Sequence, residues 1–208
     1  MTIVDRYATM AGEADRPERL FAPADLNGTH PGAETHEGHL VGYRMRWPSS
    51  TVLPNLKNQS FIAPALAPTP TGIVTLDIRD PELLFVPSSK SLTGPPDPLT
   101  QPLDHFLCYK ARLSRGAPGQ AQPILTETSQ FETMDVPLRR IRWLCTPANK
   151  NGEDPDAPNH STHLLCDRQA LRRPLDIQPV VNNQFGLQVL EIIRREEVCF
   201  AVQPVPAP

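Results

Sequence analysis

Aromatic side chains are scarce in this chain of 208 residues: they make up 6% of it, and Trp47 and Trp143 are the only tryptophans. A stacking platform for sugars or bases has little to be built from. No apolar run approaches the ~20 residues of a membrane-spanning helix, so no membrane span is expected. Charge of one sign is missing as well. The 20 basic and 23 acidic side chains leave a net charge of −3, with 8 basic and 11 acidic groups in residues 1–100 and 12 of each in the remainder. Neither half carries the field that nucleic acid demands, which excludes it as an expected partner. No GxSxG, Walker loop, GxGxxG or HExxH occurs, so the chain announces no familiar catalytic machinery and no cofactor. The N-terminus, MTIVDRYATMAG, lacks the basic and apolar regions of a signal peptide. That leaves a cytosolic protein with free thiols, or one whose leader is removed.

Proline, by contrast, is abundant: 25 residues, where ~5% of a chain is usual. Spread this evenly, prolines leave few windows for a helix. What fills the space is repetition. HLVGYRMR from His39, HFLCYKAR from His105 and HLLCDRQA from His163 are copies of one early segment. A late segment also recurs, and Tyr7 to Phe21, Thr71 to Phe85, Phe131 to Cys145 and Phe185 to Cys199 are each fourteen residues apart. Such periodicity means one supersecondary unit, stacked so that neighbours bury what none can bury alone. It divides the chain into a half unit at 1–38 and full units at 39–104, 105–162 and 163–208. The connectors between them are rich in Gly, Pro, Asn and Asp, with Asn27-Gly28 and Asn151-Gly152 expected as tight turns.

The repeat orders the four cysteines. Cys108 and Cys145 hold two positions of one unit, Cys166 and Cys199 the same positions of the next, and in the first full unit those positions are Gly42 and Phe85. Loss of both together favours bonds within units, Cys108 with Cys145 and Cys166 with Cys199. The rival, Cys145 with Cys166, leaves Cys199 alone. Each expected bond would stabilise by about 4 kcal/mol on the chain-entropy model, and bonds in different units should act almost independently. Absence of CxxC spacing argues against zinc.

Early segments alternate with period two: Phe106, Cys108 and Lys110 on one face, Leu107, Tyr109 and Ala111 on the other. QVLEIIRREEV alone could be an amphipathic helix, but its counterparts contain Pro81 and Pro137, so strands are expected throughout. The fold class is therefore all-β, an antiparallel array of one or two β-sandwich or barrel-like bodies, with a β-trefoil as the alternative. Residues 1–38 and 197–202 should present edge strands, which natural proteins seldom leave bare, so self-association there is a candidate contact.

Of the groups that might carry chemistry, His39, His105 and His163 recur at one position and could converge on a metal in a pseudo-symmetric fold. His36 and His160 add HxxH spacing. At the start of a strand, however, a histidine ring also bonds neighbouring backbone. Glu153, Asp154 and Asp156 invite a calcium reading but lack the ligand spacing of a known loop. Arg139, Arg140, Arg142, Arg194 and Arg195 stand in matched places against Glu196 and Glu197, the pattern of a solvated, salt-bridged surface. Asn27, Asn58 and Asn159 head glycosylation sequons.

Through HFLCYKAR, SQFET, NQFG and LCTPANKNGE the chain resembles an uncharacterised family of environmental bacterial proteins built from tandem HLKCYK, DQFG and LCVPxxKNG motifs, most closely over residues 102–200. The resemblance implies secretion and paired cysteines, and no activity. The resulting expectation is a non-catalytic, extracytoplasmic, disulfide-stapled β-repeat protein with a structural, adhesive, surface-coat or binding role. The alternative is a metal-dependent hydrolase or oxidase using the recurrent histidines.

Overall fold

The computed structural model describes residues 1–100, 103–170 and 173–206. Among them no α-helix occurs, only two short 3₁₀ turns at Ala33–Thr35 and Ala157–Asn159. Strands β1 (Thr2–Asp5), β2 (Thr9–Ala11), β3 (Glu13–Phe21) and β4 (Ala24–Leu26) precede β5 (His39–Arg46), β6 (Asn55–Ile62) and the long β7 (Ile73–Ser91). Next come β8 (His105–Leu113), β9 (Ile124–Ser129) and the long β10 (Thr133–Lys150). The chain ends with β11 (His163–Gln169), β12 (Pro174–Ile177), β13 (Val180–Asn183), β14 (Gly186–Val189), β15 (Ile192–Arg194) and β16 (Glu197–Pro204).

The strands confirm an all-β, antiparallel architecture. Neighbours β3, β5, β7, β8, β10, β11 and β16 form one continuous sheet, and β6 joins β16 back to β7, so six of the strands make a hydrogen-bonded ring without closing a regular barrel. Pro17 and Pro81 sit at irregularities: the β3–β5 and β7–β8 ladders shift register on either side of them, and Pro81 follows Asp80 at φ 44°. The two NG dipeptides turn as expected, with φ 56° and 71° at Asn27 and Gly28 and 55° and 83° at Asn151 and Gly152, the left-handed pair that a type I′ turn requires.

Three strand pairs hold one register. His39 faces Ser88, His105 faces Ala148 and His163 faces Val202; three residues on, Gly42 faces Phe85, Cys108 faces Cys145 and Cys166 faces Cys199. Both expected disulfides are therefore present as directly opposed cross-strand pairs. Where the cysteines are replaced, Phe85 covers its glycine so closely that an added Cβ at Gly42 would come within 2.9 Å of the ring. Four strand pairs of a second kind also match. The ends of β4, β7, β10 and β16 pair with β9, β13, β1 and β6 respectively, which ties residues 1–38 into the body through β1, β3 and β4. With four such ends, the three-fold arrangement of a trefoil does not apply.

Alternation along these strands buries the sheet on both faces. Leu84, Leu107, Tyr109, Leu144 and Leu165 belong to a large core that runs from Ile3 to Val202, so the chain builds one main body. Leu83, Phe85, Phe106, Cys108, Trp143, Cys145 and Cys166 form a smaller cluster on the other face, with Phe21, Leu40, Leu164 and Cys199 packed on it. The two cystines share one cluster, a packing through which bonds in separate units can couple. Replacing Cys108 with Cys145, or Cys166 with Cys199, by alanine pairs should each destabilise by about 2–4 kcal/mol. The fourfold variant should depart from the sum by more than about 0.5 kcal/mol in denaturant melts, whereas strict additivity would show the cystines to be energetically separate. The shared register makes a further prediction. A Gly42→Cys/Phe85→Cys double variant should form a third disulfide, detected by non-reducing peptide mapping, and two free thiols in the folded variant would contradict the register.

Candidate functional site

His39, His105 and His163 open β5, β8 and β11, and each is committed to its own local bonds. His39 Nδ1 donates to the Glu37 carbonyl at 2.8 Å, which leaves Nε2 to accept from the Gln130 amide at 2.9 Å. His163 Nδ1 donates to the Ser161 carbonyl at 3.1 Å, with Arg6 at 3.5 Å from Nε2. His105 Nε2 accepts from Gln184 at 3.0 Å. All three rings serve as neutral acceptors for the tip of another hairpin: Arg6-Tyr7, Gln130-Phe131 and Gln184-Phe185. Those partners were visible as the residues preceding the aromatic of the fourteen-residue spacing, but nothing local told which histidine each would meet.

Burial lowers all three imidazoles from 6.5 to about 4, against a partial upward pull from the backbone bonds at His39 and His163 and from Glu153 at His105. Among the described residues, the group of potential metal ligands within 4.8 Å of one another is Asp104, Asp154 and His160, and it includes none of the three. The structure does not gather the recurrent histidines into one centre. In the 104–160 group, His160 Nδ1 already donates to Asp104 at 2.9 Å, and Asp154 accepts from the Asp156 backbone at 3.1 Å. Glu153 is engaged by Lys150.

The charged residues expected on a solvated surface divide into two sets, and Arg194 lies at the surface as expected. Arg139 and Arg140 are exposed, but the side chains of Arg195, Glu196 and Glu197 are only 8%, 11% and 1% exposed. They are buried because they occupy a seam. β3 pairs with β5 alone, and its other edge meets the start of β16 through side chains: Arg19 lies 3.1 Å from Glu196 and 3.5 Å from Glu197. Arg142 pairs with Glu197 at 3.1 Å, and the Trp143 indole donates to the same carboxylate at 3.1 Å. Arg195 binds Glu127, Glu132 and Ser129. Burial pushes the Glu197 carboxyl up, and the neighbouring Arg19 and Arg142 restrain that shift.

Along this seam runs a cleft of about 730 Å³. Phe21, Leu40, Phe106, Leu164 and Cys199 of the sheet supply an apolar floor, and Leu175, Ile177 and Ile192 come from the separate two-stranded β12–β15 ribbon. Its volume falls in the range of ligand pockets, ~300–1,000 Å³, which the ≈ 210 Å³ hollow beside Ile62 and Ala201 does not reach. Sequence periodicity identified the floor as apolar but not the cleft, because the seam joins strands more than 170 residues apart. No protein-family model, curated protein or solved structure matches the chain.

The histidines imply a pH dependence. Their folded values lie below the unfolded value, so the unfolded chain takes up protons first, and the stability they contribute above pH 6.5 is lost as pH falls toward 4. Each accounts for at most about 3 kcal/mol. Asp5, Asp167 and Glu197, raised by burial, act in the opposite sense and partly offset the loss. The melting temperature should fall between pH 7 and pH 4.5, and less steeply in His39→Gln and His163→Gln. Wild-type melts that do not change over this window would contradict the neutral, buried assignment.

Proposed function

We propose that the protein is a non-catalytic, disulfide-stapled binding module of an oxidising, extracytoplasmic compartment, and that it takes a small molecule in the seam cleft. The cleft itself carries this reading: an apolar floor of Phe21, Leu40, Phe106 and Leu164, a polar rim with arginine and glutamate side chains, and a volume suited to one ligand. Two intramolecular disulfides with no free thiol among the described residues support the compartment, since reducing cytosol disfavours such bonds. The repeated strand register supports a scaffold role for the rest of the chain, because it supplies rigidity around the cleft and leaves its lining to vary. A metal-dependent hydrolase or oxidase on His39, His105 and His163 finds less support, as each imidazole has its acceptor nitrogen occupied by a side chain of another hairpin.

Titration with a neutral apolar fluorophore, N-phenyl-1-naphthylamine, tests the reading. Native protein should bind it saturably at one site. Leu164→Trp, which fills the cleft from the floor, should lose at least tenfold in affinity while keeping its far-UV circular dichroism and both disulfides. Leu40→Trp, from another part of the floor, provides a second filled variant. Absence of binding to the native protein, or equal binding to folded filled variants, would refute a cleft ligand.

A further inference from the structure

We infer that the cleft selects a cationic amphiphile, a molecule with an apolar body and a primary ammonium head that the carboxylates of Glu18 and Glu191 hold. The inference rests on the cleft being a binding site, as proposed above, and names the chemistry of its ligand.

The charge of the lining is the first ground. Five glutamates, Glu18, Glu127, Glu191, Glu196 and Glu197, stand against three arginines, Arg19, Arg194 and Arg195. All three arginines are already committed: Arg19 to Glu196 and Glu197, Arg194 to Glu196 and Arg195 to Glu127. Glu18 and Glu191 are left over. One comes from the sheet, on β3, and the other precedes β15 of the separate ribbon. Glu191 is exposed and lies in no ion pair among the described residues. Glu18 is approached from outside the lining by Arg16 at 3.5 Å and Arg44 at 3.8 Å, whose side chains are 70% and 43% exposed. Those contacts are longer than the ~2.7–2.9 Å of a charge-assisted hydrogen bond and are screened by solvent, so they leave the carboxylate able to accept from a closer donor. A primary ammonium has three N–H donors and the matching charge. A carboxylate head would meet no uncommitted arginine and would be repelled by both glutamates, whereas an uncharged head gains nothing from their charge.

The floor supplies a second ground that does not depend on the carboxylates. Phe21 and Phe106 are aromatic, and the faces of such rings attract a cation and oppose an anion. Phe131 of the same lining displays that attraction within the chain, with the Lys90 ammonium 5.1 Å and the Arg195 guanidinium 5.9 Å from its ring centre. Leu40 and Leu164 between the charged rim and the sheet then accommodate the apolar body.

Octylammonium, octanol and octanoate share one chain and differ in the head group, and each can be titrated calorimetrically into the full-length protein at pH 7.5 and low salt. Octylammonium should bind about tenfold more tightly than octanoate and about threefold more tightly than octanol, the scale of charge pairs that remain partly solvated. The double variant Glu18→Gln/Glu191→Gln, with unchanged far-UV circular dichroism and both disulfides, should bind octylammonium and octanol equally. Equal affinity of the native protein for the three heads, or octanol or octanoate bound most tightly, would overturn the cationic-head inference while leaving a cleft ligand in place. A preference for octylammonium that the double variant retains in full would overturn the assignment to Glu18 and Glu191. Failure of all three to bind overturns the inference as well, and the naphthylamine titration then decides whether the cleft reading falls with it.

Discussion

Cross-strand register at three equivalent points is the constraint on which the rest of this structure depends. Gly42 against Phe85, Cys108 against Cys145 and Cys166 against Cys199 set the pairing of β5 with β7, β8 with β10 and β11 with β16. Two of these contacts are covalent. A slip of one residue at any of them would exchange the two faces of a strand. Because both faces are buried, with Leu107 and Leu144 in the main core and Phe106 and Trp143 in the cystine cluster, the slip would disrupt two cores at once. The unstapled pair achieves the same alignment by size, with an aromatic ring filling the space above a glycine.

The recurrent histidines extend that order from strands to hairpin tips. Each opens an early strand and accepts a hydrogen bond from a tip that arrives from elsewhere in the chain, Gln130 at His39, Gln184 at His105 and Arg6 at His163. An acceptor role requires the neutral ring, and burial keeps it neutral. Recurrence of a potential metal ligand at one position therefore reflects recurrence of a structural joint. Gln130 strengthens the first of these joints by accepting from Lys90, whose ammonium also lies over the Phe131 ring.

The cleft exists because the sheet does not close by backbone pairing along its whole length. β6 bridges β16 to β7 at one end through Phe61 and Ile62. At the other end β3 meets the start of β16 through the side chains of Arg19, Glu196 and Glu197. Side-chain ion pairs are longer than a ladder hydrogen bond and leave space between the strands, and the apolar residues that continue down both walls make that space a pocket.

Much of the fold could be read from the chain alone. Period-two alternation in HFLCYKAR assigned Leu107 and Tyr109 to one face and Phe106 and Cys108 to the other, as found, and Pro81 and Pro137 excluded helices from segments that otherwise resembled them. The joint replacement of two cysteines by Gly42 and Phe85 identified which cysteines pair, because partners in a register are lost together. These features are local, or repeat at fixed spacing, so a linear pattern records them. What only the tertiary structure decided lies in contacts between distant segments: the bridge from β16 to β6, the tip that meets each histidine, and the seam that buries Glu197 beside Arg19. Alternation states which face a side chain takes but not what the opposite edge will be after the sheet curves, and that curvature turned charges with the look of a solvated surface into the buried wall of a cleft.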